Sequence, residues 1–365
     1  MDRAALLAVA VAFFLSFFGT AMARRLAVMT GYLAHPTSDR LHKQSTPLLG
    51  GVGIVLGIVL PSLLALALAA VWYANGVPSY VSPQIGLHLG GIVHRTPLAL
   101  GILAGGLGMH VMGLVDDKKG LGAIFKLALQ FLICGLVVWL CDVRLLQLLG
   151  RPASIILTTF WLVAVTNSFN FLDNMDGLSA GVAAICTAAL LVAAVTSGQI
   201  FVGAWLCLLL GSCLGFLLHN FPPAKIFMGD AGSLVIGYFL AVLSVLTTYY
   251  HGPPDSHLWI NGALTPLVAL AVPLYDTISV IALRLAERRN PMIGDTRHFS
   301  HRLLRRGMST RKAVLTIYLA TTATAIGATI LPHVDEARAI LIFGQALAVV
   351  LMIALLESTG AKDKA

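Results

Sequence analysis

Charge is scarce in this sequence. Of 365 residues, 11% are Asp, Glu, Lys or Arg, and 58% are hydrophobic. A soluble domain carries about 25% charged residues, so a chain covered by water on all sides is excluded. Long polar segments are missing too. The longest, Arg284 to Lys312, has only about 29 residues and is too short to fold as a separate soluble unit. One transmembrane domain over 1–358, followed by a short cytoplasmic tail at 359–365, is the expected organisation. Internal repeats and low-complexity linkers are also lacking. The five cysteines, Cys134, Cys141, Cys186, Cys207 and Cys213, have neither CxxC spacing nor a histidine cluster beside them. They read as reduced packing residues rather than zinc ligands or a disulfide framework.

What remains is apolar and long. The mean hydropathy is +0.88, and eleven apolar runs begin near Ala4, Leu48, Leu98, Ala123, Ala153, Ser179, Ile200, Ser233, Gly262, Ala313 and Arg338. Each is close to the roughly 20 residues needed to cross a bilayer as a helix. The first run has one basic residue before it, Arg3, and is stopped by Arg24 and Arg25, which marks a span rather than a cleaved signal peptide. The expected fold is an all-α, polytopic transmembrane helix bundle of about 10–11 spans. Placing the N-terminus outside and the C-terminus in the cytoplasm puts Arg24, Arg25, Arg40, Lys43, Lys118, Lys119, Lys225, the basic residues of 284–312, Lys362 and Lys364 inside. Only Arg3, Arg95, Arg144, Arg151 and Arg338 then face out, eighteen against five, with Lys126 at the start of a span.

The same placement gathers every loop rich in acids, amides and histidines on the cytoplasmic side: SDRLHKQSTPLLGG, VDDKKGLGAIFK, NSFNFLDNMDGL, HNFPPAKIFMGDAGS and GDTRHFSHRLLRRG. Asp116 and Asp117 repel each other unless a cation, a proton or bulk water intervenes. A divalent metal would remove the conflict; the bland alternative is a solvated pair beside Lys118 and Lys119. Asn170, Asp173 and Asp176 recur every three residues, so on a helix they share a face about 120° wide, with Asn174 at its edge. Their oxygens suit Mg²⁺ or sugar and base hydroxyls; the plain alternative is a helix cap. Asp230 stands between glycines before an apolar run, where a backbone approaches phosphate closely and a helix N-terminus favours negative charge. Ser233 is a candidate cap there.

The last polar loop places His298, His301, Arg302, Arg305 and Arg306 on a short amphipathic helix whose Leu303 and Leu304 are expected to dip into the membrane interface. Such a cluster suits a diphosphate or an anionic headgroup. Within the spans, His110 is expected to hydrogen-bond between helices. The pairs Gly53/Gly57, Gly101/Gly105 and Gly211/Gly215 are expected at close helix contacts. Asp276, a lone acid deep in the ninth span, is harder to dismiss; a partner such as Lys126 or Arg284 would make it structural.

In this order and spacing, VDDKKGL, NFLDNMDGL, HNFPPAKIFMGDAGS and HFSHRLLRRG resemble the signatures of the polyprenyl-phosphate N-acetylhexosamine-1-phosphate transferases, over nearly the whole chain. The resemblance implies transfer of a sugar 1-phosphate from a UDP-sugar to undecaprenyl or another polyprenyl phosphate, with release of UMP. It also implies a Mg²⁺ cofactor, with Mn²⁺ as the second candidate, and a site facing the cytoplasm from a bacterial inner membrane. Its partners are the two substrates and the lipid bilayer, with no nucleic acid; a homodimer is left open. Carried over by motif, the catalytic residues are Asp116, Asp117, Asp173, Asp176, His298 and His301. Substrate-binding falls to His42, Lys43, Lys126, Asn170, Asn174, Asn220 and Arg302, and metal-binding to Asp230 and Asp173. The muramoyl-pentapeptide branch carries three consecutive histidines where this chain reads His298-Phe299-Ser300-His301, so the N-acetylglucosamine branch is expected and the muramoyl branch is the alternative. A transporter or flippase is the alternative of another class, and would carry its polar residues near the bilayer midplane on broken helices.

Overall fold

In the computed structural model, residues 3–34, 45–79, 81, 83–247, 258–288 and 297–358 are described. Among them lie ten helices long and apolar enough to cross a membrane, and an eleventh span if one bent pair is counted as a unit. In chain order the helices are α1 (Arg3–Thr30), α2 (Gly50–Asn75), α3 (Pro83–His94), α4 (Thr96–Lys119), α5 (Ala123–Cys141), α6 (Arg151–Leu172), α7 (Leu178–Thr196), α8 (Ile200–Asn220), α9 (Asp230–Thr247), α10 (Leu258–Ala269), α11 (Ala271–Ala286), α12 (Phe299–Arg305), α13 (Thr310–Ile330) and α14 (Glu336–Ser358). The tail at 359–365 lies outside the described residues.

Helix α9 is the axis of the bundle. Of its spanning window 89% is buried inside the protein, against 17% for α14. Lipid tails are as apolar as leucine, so helices in a bilayer associate by close packing, and α9 is flanked by residues that permit it. A Cβ on Gly51 of α2 would strike the backbone of Gly232, and one on Gly113 of α4 would strike that of Ala231. Gly237 of α9 lies against Thr166 of α6. The expected glycine pairs also sit at contacts: Gly211 and Gly215 of α8 on the α1 backbone, Gly53 and Gly57 of α2 against α1 and Ser212, and Gly105 under Tyr238. His110 does bridge helices, with its Nδ1 2.8 Å from the Ala231 carbonyl.

Three features depart from the expected layout. The short apolar helix α3 precedes the third span. Two-residue strands, β1 (Leu33–Ala34) and β2 (Thr46–Pro47), pair antiparallel, so the chain is not wholly helical; strands this short leave no alternating pattern to detect. The ninth span is broken, with α10 and α11 meeting at 69°. Proline explains the break. Pro273 has no N–H to offer the Ala269 carbonyl four residues back, and the Cys186 thiol donates to that carbonyl instead, at 3.1 Å. All five cysteines are free, but Cys186 thus does more than pack.

Because two backbones meet at Gly113, neither side can yield as a side chain would. Gly113→Ala is expected to cost about 1–3 kcal/mol, read as a lower melting temperature of the detergent-purified protein. An unchanged melting temperature would show that α4 and α9 are free to separate.

Candidate active site

The polar loops meet at one end of the bundle, where α4, α6, α8 and α11 finish and α5, α7, α9 and α13 begin. The N-terminus of α9 lies at the middle. Its first N–H groups have no partners within the helix, and Asp117, from the last turn of α4, supplies them. One carboxylate oxygen accepts from Asp230 N–H at 2.9 Å and the other from Ala231 N–H at 3.1 Å. Asp117 is therefore the cap of α9, in place of Ser233, whose hydroxyl donates to the Gly229 carbonyl. Gly229 has φ +69°, and a Cβ there would press on the Asp117 carboxylate. Glycine is required at this position for both reasons. Tyr32 lies nearby and donates to the Leu114 carbonyl at 2.8 Å. Burial, and then the charge of Asp117, pushes its phenol above the ordinary value, which keeps it a neutral donor.

Adjacent Asp116 takes a different direction, which sets its carboxylate apart from that of Asp117. Its Oδ1 accepts from Leu121 N–H at 2.6 Å and its Oδ2 from Lys126 Nζ at 3.0 Å. The same ammonium contacts Asp230 Oδ2. Asn170, in the last turn of α6, donates from its amide to Asp230 Oδ1 and to Ser233 Oγ, both at 2.9 Å. Asp116, Lys126, Asn170 and Asp230 thus converge from four helices. Asp230 is the most open of the charged three, with 26% of its side chain exposed against 15% for Asp116 and Lys126.

The remaining residues of the NFLDNMDG motif do not continue as one helical face, because α6 ends at Leu172 and Asp173 is its C-cap. The chain then turns, and Gly177 enters α7 with φ +73°. Three-residue spacing on a helix therefore holds for Asn170 alone. Buried Asp176 accepts the Ala224 N–H at 2.9 Å, while Asn220 accepts from Gly177 N–H and donates to the Ile226 carbonyl, both at 2.9 Å. These two side chains fasten the 173–177 turn to the 221–226 loop. Asn174 reaches elsewhere, donating to the Phe171 carbonyl and accepting from Ser300 Oγ, both at 2.6 Å.

The final loop docks on the bundle. Helix α12 buries Phe299 and Leu303 in the protein core, not in the lipid interface, because its start is bound by Asp276 of α11. That carboxylate faces His298 Nδ1 at 2.9 Å and accepts Phe299 N–H at 2.6 Å. His298 is thus a partner of Asp276, and is neither of the two considered from the sequence, Lys126 and Arg284. Arg284 instead lies buried over the Phe171 ring. Arg302 donates to the Arg297 carbonyl and Ser279 Oγ and pairs with Glu357 of α14 at 2.9 Å. His301 is half-buried on α12. His42 and Lys43 lie outside the described residues. Sequence reasoning gave Glu357 no role and noted Asp276 only as a lone acid without identifying His298, although an acid deep in a span is itself a signal. A cavity of about 770 Å³ lies at the opposite end of the bundle, with Arg95, Leu98 and Phe201 in its lining and none of the expected site residues.

Residues 99–248 match the family model described as glycosyl transferase family 4. The chain is 32% identical to a decaprenyl-phosphate N-acetylglucosaminephosphotransferase of Mycolicibacterium smegmatis, over 94% of this chain and 86% of that protein. It is 30% identical to a probable undecaprenyl-phosphate N-acetylglucosaminyl 1-phosphate transferase of Bacillus subtilis, over 86% and 80%. It is 26% identical to the undecaprenyl-phosphate alpha-N-acetylglucosaminyl 1-phosphate transferase of Escherichia coli K12, over 83% and 77%. The chain belongs to the polyprenyl-phosphate N-acetylhexosamine-1-phosphate transferase family. The matched segment of this transferase holds the Asp116/Asp117 pair, Lys126, Asn170 and Asp230. It ends before the loop that carries His298.

Asp117 serves this transferase first as a cap. Asp117→Ala should lower stability by about 1–2 kcal/mol, measured as a shift in melting temperature, and activity should fall with it as Asp230 loses its seat. A variant that melts like the parent would remove the capping role.

Proposed function

We propose that the protein transfers N-acetylglucosamine 1-phosphate, or a related N-acetylhexosamine 1-phosphate, from a UDP-sugar to undecaprenyl or another polyprenyl phosphate. UMP leaves, and a lipid-linked cell-envelope glycan begins. The observation that carries this reading is the convergence of Asp116, Lys126, Asn170 and Asp230 on the N-terminus of α9, in a chain whose relatives are named for that activity. The same names favour N-acetylglucosamine over the muramoyl-pentapeptide alternative, as does the His298-Phe299-Ser300-His301 sequence. A transporter is disfavoured: the polar cluster lies at one end of the bundle, and Asp276, the acid on the broken span, is engaged by a loop residue. We place the N-terminus outside and the site on the cytoplasmic side of the bacterial inner membrane, because eighteen basic residues fall on that side against five on the other.

The donor set suits Mg²⁺. Asp116 and Asp230 present carboxylate oxygens to a single cation, the Lys126 ammonium. Among the described residues no three His, Cys, Asp or Glu side chains form a closed metal site. Mg²⁺ commonly takes one or two carboxylates and completes its shell with water and substrate phosphates. Asp230 and Asp116 would hold it, with Asp173 at the adjoining turn; Mn²⁺ accepts the same oxygens. Such an ion supplies charge neutralisation and alignment of the phosphoryl groups.

Both substrates carry phosphate, so the work of the protein is to offset their repulsion and set them in line. Asn170 aims Asp230, and Asp117 holds the backbone beneath it. Lys126, released from its carboxylates, is placed to meet a phosphate oxygen at the edge of the membrane. His298 and His301 come from the other side, beside the turn that carries Asp173, and are placed for the diphosphate of the UDP-sugar. A phosphate monoester with a second pKa near 6 is largely dianionic at neutral pH, so it attacks directly without a strong base. Asp116 then orients and balances charge. Trapping a phosphorylated enzyme during turnover would refute direct attack.

Purified protein given labelled UDP-N-acetylglucosamine and polyprenyl phosphate should yield lipid-extractable label and an equal amount of UMP. Chelation should stop the reaction and Mg²⁺ should restore it. Asp230→Asn should lower kcat about 10²–10³-fold while eluting and melting as the parent does; full activity would remove Asp230 from the site.

A further inference from the structure

Asp276 belongs to none of the family motifs quoted above, yet it is among the most completely enclosed charged side chains in the protein, with 1% of its surface exposed. A buried carboxylate is tolerated only when its oxygens are matched. Both are: Oδ2 by His298 Nδ1 at 2.9 Å, and Oδ1 by Phe299 N–H at 2.6 Å. Since an ionised carboxylate only accepts, the imidazole nitrogen facing it is the one that donates. His298 is further fixed as the residue preceding α12, with φ −60° and ψ 154°, and by the Phe171 ring 5.9 Å away. Two residues on, Ser300 Oγ donates to Asn174 Oδ1 at 2.6 Å, which joins the loop to the turn carrying Asp173. The imidazole therefore has one nitrogen bound to the scaffold and one left.

We propose that Asp276 is a positioning residue: by holding His298 Nδ1 it sets the ring so that Nε2 meets the diphosphate of the UDP-sugar. This rests on the transferase reading above and adds to it how the histidine is aimed. The acid sits on the segment after the helix break at Leu270, so the bend in the ninth span brings a membrane-embedded carboxylate under a cytoplasmic loop. The arrangement follows the general rule that a functional histidine is oriented by what its other nitrogen bonds.

The test compares variants of the full-length protein in the labelled-lipid assay, with melting temperature measured for each. Asp276→Asn should lower kcat/KM about 10–100-fold, chiefly through KM for the UDP-sugar, with KM for polyprenyl phosphate unchanged. His298→Asn retains an amide donor near the Nδ1 position and removes Nε2. It should melt near the parent and lose activity at least as strongly. The double variant should be no worse than His298→Asn alone. If His298→Asn stays fully active, or if the two losses multiply, Asp276 merely anchors the loop and the proposal is overturned. Should Asp276→Asn fail to fold, the activity of His298→Asn decides by itself. Parent protein that forms no lipid-linked product would instead overturn the transferase reading, and this inference with it.

Discussion

The Asp117 carboxylate on the first two N–H groups of α9 is the interaction on which the rest of this site depends. A helix N-terminus carries partial positive charge and unpartnered donors, and α9 is the most enclosed helix of the bundle, with little access to water. By closing that terminus from α4, Asp117 leaves the side chain of Asp230 free to face Lys126 and Asn170. It also separates the duties of two neighbouring acids. Asp117 points at backbone, and Asp116 points at the ammonium and at the Leu121 N–H. The adjacent acids form a branch point, with one arm on the N-terminus of α9 and the other on Lys126 and Leu121.

Small residues around α9 make that geometry attainable. Asp117 reaches the helix terminus because Gly113 lets α4 lie against Ala231, and Gly51 admits α2 beside Gly232 on another flank. From the α2 end, the Pro47 carbonyl accepts Phe227 N–H at 2.8 Å, and Gly50 and Gly51 donate to the Phe227 and Met228 carbonyls at 2.9 and 3.0 Å. The loop that delivers Asp230 is thus gripped by backbone from the start of α2 and by Asn220 from the end of α8. Precision in a catalytic constellation comes from such supporting shells.

The spans and their polar end were legible in the sequence because they depend on composition, and a bilayer enforces composition strictly. The convergence of Asp116, Lys126, Asn170 and Asp230 was visible only as separate motifs, since which helices neighbour one another is not written in local pattern. Where α6 ends stayed open in the sequence for a physical reason: three-residue spacing looks the same on a helix as on a helix followed by a turn. The backbone hydrogen bonds of Asp176 and Asn220 could not be read from the sequence, because polar side chains that bind backbone and those that bind substrate have the same chemistry. The partner of Asp276 was hidden by a sequence separation of 22 residues. Nothing local distinguishes a histidine aimed at a carboxylate from one aimed at a phosphate.

The Arg302 to Glu357 pair has a consequence for how the protein is made. Glu357 also accepts from the Tyr275 hydroxyl at 2.6 Å, so the last turn of the last span joins α11 and α12 at a single carboxylate. Membrane helices are delivered in order from the N-terminus during synthesis, and α14 follows every other helix of the site. Until it is inserted, α12 lacks one of its fastenings to the bundle. A nascent chain can therefore have Asp116, Asp230 and Lys126 in place while the 298–305 segment is still incompletely tied, and insertion of α14 adds the Glu357 fastening.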